Sequence, residues 1–321
     1  MLIRIFLFAL PTLVHAVDAW EQLAPPPLPQ SEFSVAQVDG EIYLFGGYPE
    51  DRITRNSVQV YNIDKNTWRM GPELPFPNNH GTAEVVNGII YLIGGATGSS
   101  SDPGGVGYQN AVWAMDPDIG IWEQRSPMPT RRRGLNSAVI DGQIYVAGGQ
   151  PPQAFDFAVF DPQTDSWETL PNLPYGPNHF ILAAIGDKIH AMGGRLQSNH
   201  TSELTDKHAI YDPATRSWAM GTPLPRASSG NNGVLAFACF HVWGGEGGGV
   251  NHDEMMADHI VYDPRSKTWT RLPDMPLPVH GVTGAAFKDG VIYAPGGGIE
   301  AGGRSGAHIN QAYQPTIRCD E

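Results

Sequence analysis

The stretch Asp39-Gly40-Glu41-Ile42-Tyr43-Leu44-Phe45-Gly46-Gly47 decides the fold, because variants of it recur along the 321-residue chain. A short apolar run ends on a pair of glycines six times, at Gly46-Gly47, Gly94-Gly95, Gly148-Gly149, Gly193-Gly194, Gly244-Gly245 and Gly296-Gly297. A regular period of about 50 residues indicates a repeat architecture in which each repeat is one supersecondary unit.

Each repeat is predicted to begin with a β-hairpin. Residue pairs that favour the positive φ values of a tight turn precede four of the apolar runs, at Asp39-Gly40, Asn87-Gly88, Asp141-Gly142 and Asp289-Gly290. β-branched and aromatic residues fill the runs, as in Ile90-Tyr91-Leu92-Ile93. The second strand of each hairpin therefore ends at the two glycines.

The second half of each repeat places a tryptophan at a fixed distance after a turn. The pairs that stand six residues before a tryptophan are Asp116-Pro117, Asp161-Pro162, Asp212-Pro213 and Asp263-Pro264, and Asn62 keeps this spacing to Trp68. An apolar strand precedes each turn, and no helical period interrupts the pattern. Each repeat is therefore predicted to contain four short antiparallel strands.

The two ends of the chain complement each other. The sixth repeat has its hairpin and a third strand near Gln311-Ala312-Tyr313, but no tryptophan follows it. The missing tryptophan stands at the other end of the chain, where Trp20 precedes the first complete repeat. We expect the N-terminal strand to complete the last repeat, because pairing both ends removes free sheet edges.

This pattern resembles the kelch repeat, in which about 50 residues form one blade of a β-propeller. The resemblance covers nearly the whole mature chain. It implies an all-β, six-bladed kelch β-propeller with four antiparallel strands per blade, its ring closed by the N-terminal strand. Ligands of kelch propellers usually meet the face that carries the loops between strands 2 and 3. Those loops are long here at residues 96–109, 195–207, 246–257 and 298–308.

The first residues are predicted to be a signal peptide. Arg4 precedes an apolar run over residues 5–13, and Val14-His15-Ala16 offers a cleavage site. We divide the chain into a signal peptide over residues 1–16, a propeller over residues 17–315 and a tail over residues 316–321. The protein is expected to be secreted, and Asn199 lies in a glycosylation sequon that a eukaryotic secretory path would use.

Charge and motifs exclude several classes of partner. The formal net charge of −13 repels phosphates, so we expect no nucleic acid partner and no membrane association. The run over residues 5–13 is too short to span a bilayer. The sequence contains no dinucleotide fingerprint, phosphate-binding loop or nucleophile motif, and we predict no cofactor. The expected oligomeric state is a monomer.

A ring of polar residues is predicted around one mouth of the central channel. The segments before the first strand of successive repeats end in Ser31-Glu32, Asn79-His80, Arg132-Arg133, Asn178-His179, Asn231-Asn232 and Val279-His280. The candidate acid–base groups are His80, His179, His280 and Glu32. The candidate ligand-binding residues are Arg133, Arg195, Asn232 and Glu246. The alternative is that these groups only hydrogen-bond the loops that carry them.

A metal site is not predicted. Three histidines are suitable ligands for a transition metal, but they come from repeats two, four and six, which we expect to hold them too far apart. Glu254 and Asp258 resemble the start of the iron motif of plant nitrile-specifier kelch proteins, but Tyr262 stands where that motif has a histidine. A copper radical oxidase is disfavoured because Cys239 is expected on the wrong face of the propeller.

The two cysteines, Cys239 and Cys319, leave two alternatives open. The kelch-like strand order places Cys239 at a turn on the face opposite the long loops, and the C-terminal tail leaves the last strand on that same face. A disulfide is possible in a secreted protein. However, Cys239 is expected near the axis while the tail leaves an outer strand, so two free thiols are the other alternative.

The sequence leaves two functions open, a binding protein and an enzyme. The expected activity is binding of a small polar or anionic organic ligand, carbohydrate-like molecules included, or of a protein partner, at the loop-rich channel mouth. The alternative is an enzyme or auxiliary factor of the isomerase or epimerase kind in a small-molecule pathway, such as fungal secondary-metabolite biosynthesis. Fold alone does not decide between them.

Overall fold

The computed structural model describes residues 17–98, 106–249, 253–302 and 306–320. The predicted signal peptide therefore lies outside the described residues. In those ranges the chain forms 27 β-strands, most of them in six antiparallel sheets of the predicted propeller. No helix among the described residues is long and apolar enough to cross a membrane.

Each blade contains four strands that follow one another outward from the axis. The strands of blade 1 are β2 (Phe33–Val38), β3 (Glu41–Phe45), β4 (Val58–Asn62) and β5 (Thr67–Met70). Those of blade 2 are β6 (Thr82–Val86), β7 (Ile89–Ile93), β8 (Val112–Met115) and β9 (Trp122–Arg125). Those of blade 3 are β10 (Asn136–Ile140), β11 (Gln143–Ala147), β12 (Phe157–Asp161) and β13 (Ser166–Thr169).

The other three blades repeat this plan. Blade 4 consists of β14 (Ile181–Ile185), β15 (Lys188–Met192), β16 (His208–Asp212) and β17 (Ser217–Met220). Blade 5 consists of β18 (Asn232–Ala236), β19 (Cys239–Trp243), β22 (His259–Asp263) and β23 (Thr268–Leu272). Blade 6 consists of β25 (Ala286–Lys288), β26 (Val291–Pro295), β27 (Asn310–Tyr313) and β1 (Trp20–Gln22).

Three short strands lie outside this plan. β24 (Val282–Thr283) runs parallel to β2 and links blade 6 to blade 1. β20 (Glu246–Gly248) and β21 (Glu254–Met255) form a two-stranded ribbon within the long loop of blade 5.

The N-terminal strand closes the ring as predicted. β1 pairs antiparallel with β27, and Trp20 lies opposite Tyr313. The Trp20 ring packs 5.8 Å from that of Trp243 and 5.2 Å from that of His259, both in blade 5. Asp18 extends the closure, since its carboxylate accepts a hydrogen bond from the Thr316 backbone amide at 2.9 Å.

The Gly-Gly pairs join one blade to the next. Both glycines of every pair have positive φ. The first donates its amide to the residue before the third strand of its own blade. In the first five pairs the second donates to the next blade, as Gly47 does to Asn78 at 2.7 Å. A Cβ on Gly46 would lie 2.1 Å from the Asn78 carbonyl oxygen, so only glycine fits there.

The repeated tryptophans pack between blades. Trp68, which belongs to blade 1, packs against apolar residues of blades 1 and 6. Five indole N–H groups donate to a carbonyl of the preceding blade: Trp68 to Ala24, Trp122 to Pro72, Trp167 to Ser126, Trp218 to Pro171 and Trp269 to Thr222. A large apolar ring with one satisfied polar group suits this half-buried position.

The C-terminal tail folds back under blade 5, where Cys239 and Cys319 form a disulfide with their Cα atoms 5.1 Å apart. The Cys319 amide also donates to the Phe237 carbonyl at 2.9 Å. Phe237 and Ala238 form the hairpin turn of blade 5, and both have positive φ although neither is glycine or asparagine. The tail therefore braces a turn whose residues disfavour its conformation.

Candidate functional site at the propeller axis

A backbone ring closes the channel on the loop-rich face. Each blade contributes one residue with positive φ, just before its first strand: Glu32, His80, Gly134, His179, Gly230 and Gly281. Five amide-to-carbonyl hydrogen bonds of 2.5–3.0 Å run between neighbouring members of this ring, which we call the axial ring. The side chains that it carries are Glu32, His80 and His179.

In three blades the residue of the axial ring differs from the one that the sequence predicts at the channel mouth. The ring residue is Gly134 rather than Arg133 in blade 3, Gly281 rather than His280 in blade 6, and Gly230 in blade 5. Asn232 was therefore wrongly placed at the mouth, since it is the first residue of β18 and lines the channel wall. In blades 2 to 6 the ring residue stands five positions after the proline of a Leu-Pro or Met-Pro pair, as His80 follows Pro75 and Gly134 follows Pro129. The positions taken from the sequence are therefore out of register by one or two residues in blades 3, 5 and 6.

Glu32, His80 and His179 converge although they come from blades 1, 2 and 4. The His80 Nε2 atom lies 3.2 Å from Glu32 Oε2, and His179 Nε2 lies 3.8 Å from the same oxygen. The two imidazole rings meet edge to face with their centroids 4.9 Å apart. The expectation that histidines of different blades are too far apart is therefore wrong for this pair.

Each of the two histidines is oriented by the asparagine before it. The Nδ1 atom of His80 lies 2.6 Å from Asn79 Oδ1, and that of His179 lies 2.7 Å from Asn178 Oδ1. An amide oxygen only accepts, so each Nδ1 carries a proton and each neutral Nε2 presents a lone pair. Both lone pairs face the Glu32 carboxyl.

His280 completes the surroundings of Glu32 from blade 6. Its Nδ1 atom lies 3.9 Å from Glu32 Oε1, and its Nε2 atom donates to the Glu300 carbonyl at 2.7 Å. Nothing in the described part of the chain hydrogen-bonds His280 Nδ1 or His179 Nε2, although both atoms are buried. Three imidazoles therefore surround one carboxyl group.

Arg195 and Glu246 form a buried ion pair beside this cluster, with 2.5 Å between Nη1 and Oε1. The second oxygen of Glu246 accepts from the Gly302 amide at 2.6 Å. Arg195 also donates from Nε to Asn178 Oδ1 at 3.2 Å. These two predicted ligand-binding residues thus satisfy each other and support the asparagine that orients His179.

Arg133 differs from Arg195 in the groups that surround it. Its Nη2 atom lies 3.2 Å from His80 Nε2, and its guanidinium lies 5.8 Å from the centre of the Tyr108 ring. No carboxylate oxygen of a described residue lies within salt-bridge distance of it, and its Nε atom is buried without a hydrogen-bond partner. Arg132 is a structural residue that donates to the Asp156 carbonyl at 3.0 Å.

Burial perturbs the titration of the cluster. It raises the pKa of Glu32, against the opposing charge of His280. Burial and the nearby arginines hold the pKa values of His80 and His179 well below the usual range. Burial also disfavours ionised Glu246, but His280 and Arg195 outweigh it and lower the pKa of Glu246 to about 2. Burial therefore favours the neutral form of all three groups, the Glu32 carboxyl and the two imidazoles.

Two cavities lie along the axis. The channel encloses about 360 Å³ and is lined by the first strands of the blades. Its wall includes Glu84, whose pKa burial raises to about 7 and which accepts a hydrogen bond from Ser137 Oγ at 2.8 Å. A separate cavity of about 20 Å³ adjoins Glu32, His80 and His179. That volume is enough for one water-sized species.

Two other predicted positions lie away from the axis. Asn199 is exposed in the long loop of blade 4, as a glycosylation site requires. Asp258 forms ion pairs with Arg226 and Arg271, at 3.2 and 2.9 Å, while Glu254 is exposed on the ribbon. Asp258 is thus held by two arginines. His252, in the same segment, lies outside the described residues.

Comparison with known proteins shows the family to which this chain belongs. A model of the KLHDC2/KLHL20/DRC7 Kelch-repeats domain matches residues 4–194. This match covers more than half of the chain, which therefore belongs to the kelch-repeat family. Propellers of this family generally bind proteins or other ligands.

Two relatives and one solved structure extend this result. Kelch-like protein terF of Aspergillus terreus is 29% identical over 310 residues, covering 90% of this chain and 65% of terF. Beta-scruin of Limulus polyphemus is 25% identical over 248 residues, covering 72% of this chain and 27% of the scruin. This chain thus spans less than two thirds of either relative. The structure of YjhT shares the fold, with a TM-score of 0.71 at 18% identity, covering 88% of this chain and 94% of YjhT.

Proposed function

We propose that this protein binds a small anionic organic molecule, such as a carboxylic or sugar acid, on the loop-rich face beside Arg133. The observation that supports this best is a half-buried guanidinium that no described carboxylate pairs within salt-bridge distance. A buried charge is costly unless an opposite charge compensates it. An anionic ligand would supply that charge.

The neighbours of Arg133 suit such a ligand. A guanidinium can hold a carboxylate through two parallel hydrogen bonds. Burial raises the pKa of Glu32, which favours its neutral form and so weakens its repulsion of an anion. The Tyr108 ring, with its centre 5.8 Å from the guanidinium, lies within the range of a cation–π contact. The same face could instead receive an acidic loop of a protein partner, which would present its carboxylates to the same arginine.

Variants of two arginines of the same loop test this proposal. Thermal stabilisation by a panel of monocarboxylic and sugar acids would be compared between wild type, Arg133→Ala and Arg131→Ala. Arg131 is an exposed residue on the same loop and serves as the matched control. We expect acids to stabilise the wild type and the Arg131 variant but not the Arg133 variant, with unliganded melting temperatures nearly equal. A lowered melting temperature in the Arg133 variant and no acid effect on any protein would show that Arg133 is only structural.

The titration pattern supports an acid–base reaction as a second candidate function. Burial raises the pKa of Glu32, which favours it as a proton donor. His179 Nε2, 3.8 Å away, accepts no hydrogen bond from a described group, and one donor with one acceptor is the division of roles that an isomerase or epimerase needs. Proton NMR in deuterium oxide tests this with any acid that binds. Exchange of a C–H next to the carboxyl group, lost in Glu32→Gln, would support an enzyme, and binding without exchange would leave a binding protein.

We also propose that the protein is a secreted monomer, glycosylated at Asn199, and that it works in a small-molecule pathway such as fungal secondary metabolism. The Cys239–Cys319 disulfide supports secretion, because such bonds persist in oxidising compartments. Intact mass of the protein exported by a eukaryotic host tests it. A chain that begins at residue 17 and loses mass on treatment with an N-glycosidase is expected, and an uncleaved, unmodified chain contradicts it.

A further inference from the structure

We propose that Glu32, His80 and His179 bind a divalent late first-row transition metal, such as Zn²⁺, at the propeller axis. This inference concerns the same cluster as the proposed function, but it does not depend on what Arg133 binds.

The three ligand atoms have the spacing that a metal requires. His80 Nε2, His179 Nε2 and one Glu32 oxygen all lie within 4.8 Å of one another. Zinc binds imidazole nitrogen and carboxylate oxygen at about 2.0–2.2 Å, so the ligand atoms of one ion lie roughly 3–4 Å apart. The separations of 3.2 and 3.8 Å from Glu32 to the two histidines fall in this range.

The imidazoles are already oriented as metal ligands. Histidines that bind metals usually donate their other ring N–H to an oxygen acceptor, which fixes the tautomer and the ring plane. Asn79 and Asn178 provide this acceptor to His80 and His179 in the same way, through an Asn-His pair in each of two blades. The side chains of His80 and His179 are only 4% and 5% exposed, so water does not screen the site.

An ion here would also satisfy atoms that the protein leaves without partners. His179 Nε2 is buried, aimed at Glu32 and without a hydrogen bond to any described group. The cavity of about 20 Å³ beside the three side chains has room for one ion or one water molecule. His280 Nδ1, also buried and without a hydrogen bond, faces the other Glu32 oxygen at 3.9 Å and is available as a further ligand.

Charge sets the conditions for binding. Glu246 compensates Arg195, whereas Arg133 Nη2 occupies the lone pair of His80 at 3.2 Å. Metal binding therefore replaces the Arg133–His80 hydrogen bond. The ion and the released guanidinium together carry more positive charge than Glu32 can neutralise, so an anion at the open coordination position would strengthen the complex.

The test uses the full mature protein after treatment with a chelator and dialysis. Calorimetric titration with ZnCl₂ and visible spectroscopy with CoCl₂ would be done on wild type, His179→Asn, Glu32→Gln and His308→Asn. Asparagine tolerates the left-handed φ of 51° at His179, so that variant should fold, and Glu32→Gln is isosteric. His308 is an exposed histidine that controls for surface binding.

We expect one Zn²⁺ per wild-type chain, unchanged in the His308 variant, and an affinity at least about 100-fold lower in the His179 and Glu32 variants. Less than one equivalent bound by the wild type, or equal affinity in all four proteins, would overturn the inference whether or not a variant folds. Arg133→Ala separates the two proposals, because it should still bind the ion while it no longer binds organic acids.

Discussion

His80 Nε2 lies 3.2 Å from Glu32 Oε2, although the two residues belong to different blades. The contact exists because both residues adopt positive φ at equivalent positions of the axial ring, where the His80 amide donates to the Glu32 carbonyl at 2.9 Å. The backbone that closes the channel is therefore also the scaffold that brings acid–base side chains of separate blades together at the axis.

Glycine in the axial ring is predicted to be required for binding, because it leaves space for the neighbouring side chains of the site. A Cβ on Gly134 would lie 2.9 Å from His179 Cε1, so Gly134→Ala should displace that imidazole. Gly186 has nearly the same φ, 63° against 64°, but a Cβ there meets nothing within 4 Å. Gly134→Ala and Gly186→Ala should each lose about 1 kcal/mol of stability in urea denaturation. Only the first should weaken binding of Zn²⁺ or organic acids, and equal binding by both variants would contradict this role.

Closure of the ring is predicted to depend on the N-terminal strand. Deletion of residues 17–25 leaves β27 without its partner and should cause aggregation or a large loss of thermal stability. Trp20→Ala should lower the free energy of unfolding by about 3 kcal/mol, because its ring packs against Trp243 and Tyr313. Gln22→Ala, at an exposed position of the same strand, is the control and should change stability little. A Trp20 variant as stable as this control would show that closure lies elsewhere.

The turn at Phe237 and Ala238 is predicted to be improved by glycine. Ala238 has a φ of 59°, which glycine adopts without strain, so Ala238→Gly should raise the free energy of unfolding by about 1 kcal/mol. Cys319→Ser removes the disulfide that braces this turn and should cost about 2–4 kcal/mol. Guanidinium denaturation measures both effects. Ala214 lies in an exposed turn and does not have positive φ, so Ala214→Gly should not raise the free energy of unfolding. If it stabilises the protein as much as Ala238→Gly does, backbone strain at Ala238 is not the cause.

Stability is predicted to fall on mild acidification because of two buried histidine pairs. His190 Nδ1 lies 2.8 Å from His208 Nε2, and His241 Nδ1 lies 3.1 Å from His259 Nε2. Burial lowers the pKa of His190 and His259 to about 3 and that of His241 to about 4. These values lie below the reference of about 6.5 for the unfolded chain, so protons bind the unfolded state first.

The contribution that the neutral buried histidines make to the free energy of unfolding is complete above about pH 6.5. It is lost as the pH falls towards the pKa values of these histidines in the folded state. The loss should approach about 1.4 kcal/mol per pH unit for each imidazole that stays neutral in the fold. Urea midpoints at about pH 7 and about pH 5 measure it. His190→Tyr places in blade 4 the tyrosine that blades 1, 2, 3 and 6 have at this position, and should reduce the slope. A wild-type midpoint that does not change between the two pH values contradicts this explanation.

The sequence predicted the blades better than the site, for a physical reason. Blade structure depends on short-range signals that recur in the repeats, such as the Gly-Gly pairs and the tryptophan of which Trp68 is one example. The site depends on which residue of each segment before the first strand enters the axial ring, since a shift of one residue changes the side chain that reaches the axis. One available signal was overlooked: glycine stands at Gly134, Gly230 and Gly281, and glycine tolerates the positive φ that the ring requires.

Other features of the site could not be read from the sequence. Arg195 is neutralised by Glu246 because blades 4 and 5 bring the two side chains together, and the sequence does not give that distance. The Asn-His pairs were visible, but the role of each asparagine as the acceptor for the next imidazole required the left-handed backbone. Glu84 gave no signal, because an isolated glutamate in a strand does not indicate whether it faces a channel.

The most direct test of the central claim is a crystal structure of the protein with the organic acid that stabilises it most. The account predicts the carboxylate of the ligand within hydrogen-bond distance of the Arg133 guanidinium, on the loop-rich side of the axial ring. A ligand bound inside the channel against Glu84, or at the edges of the blades with Arg133 still hydrogen-bonded to His80, would contradict it.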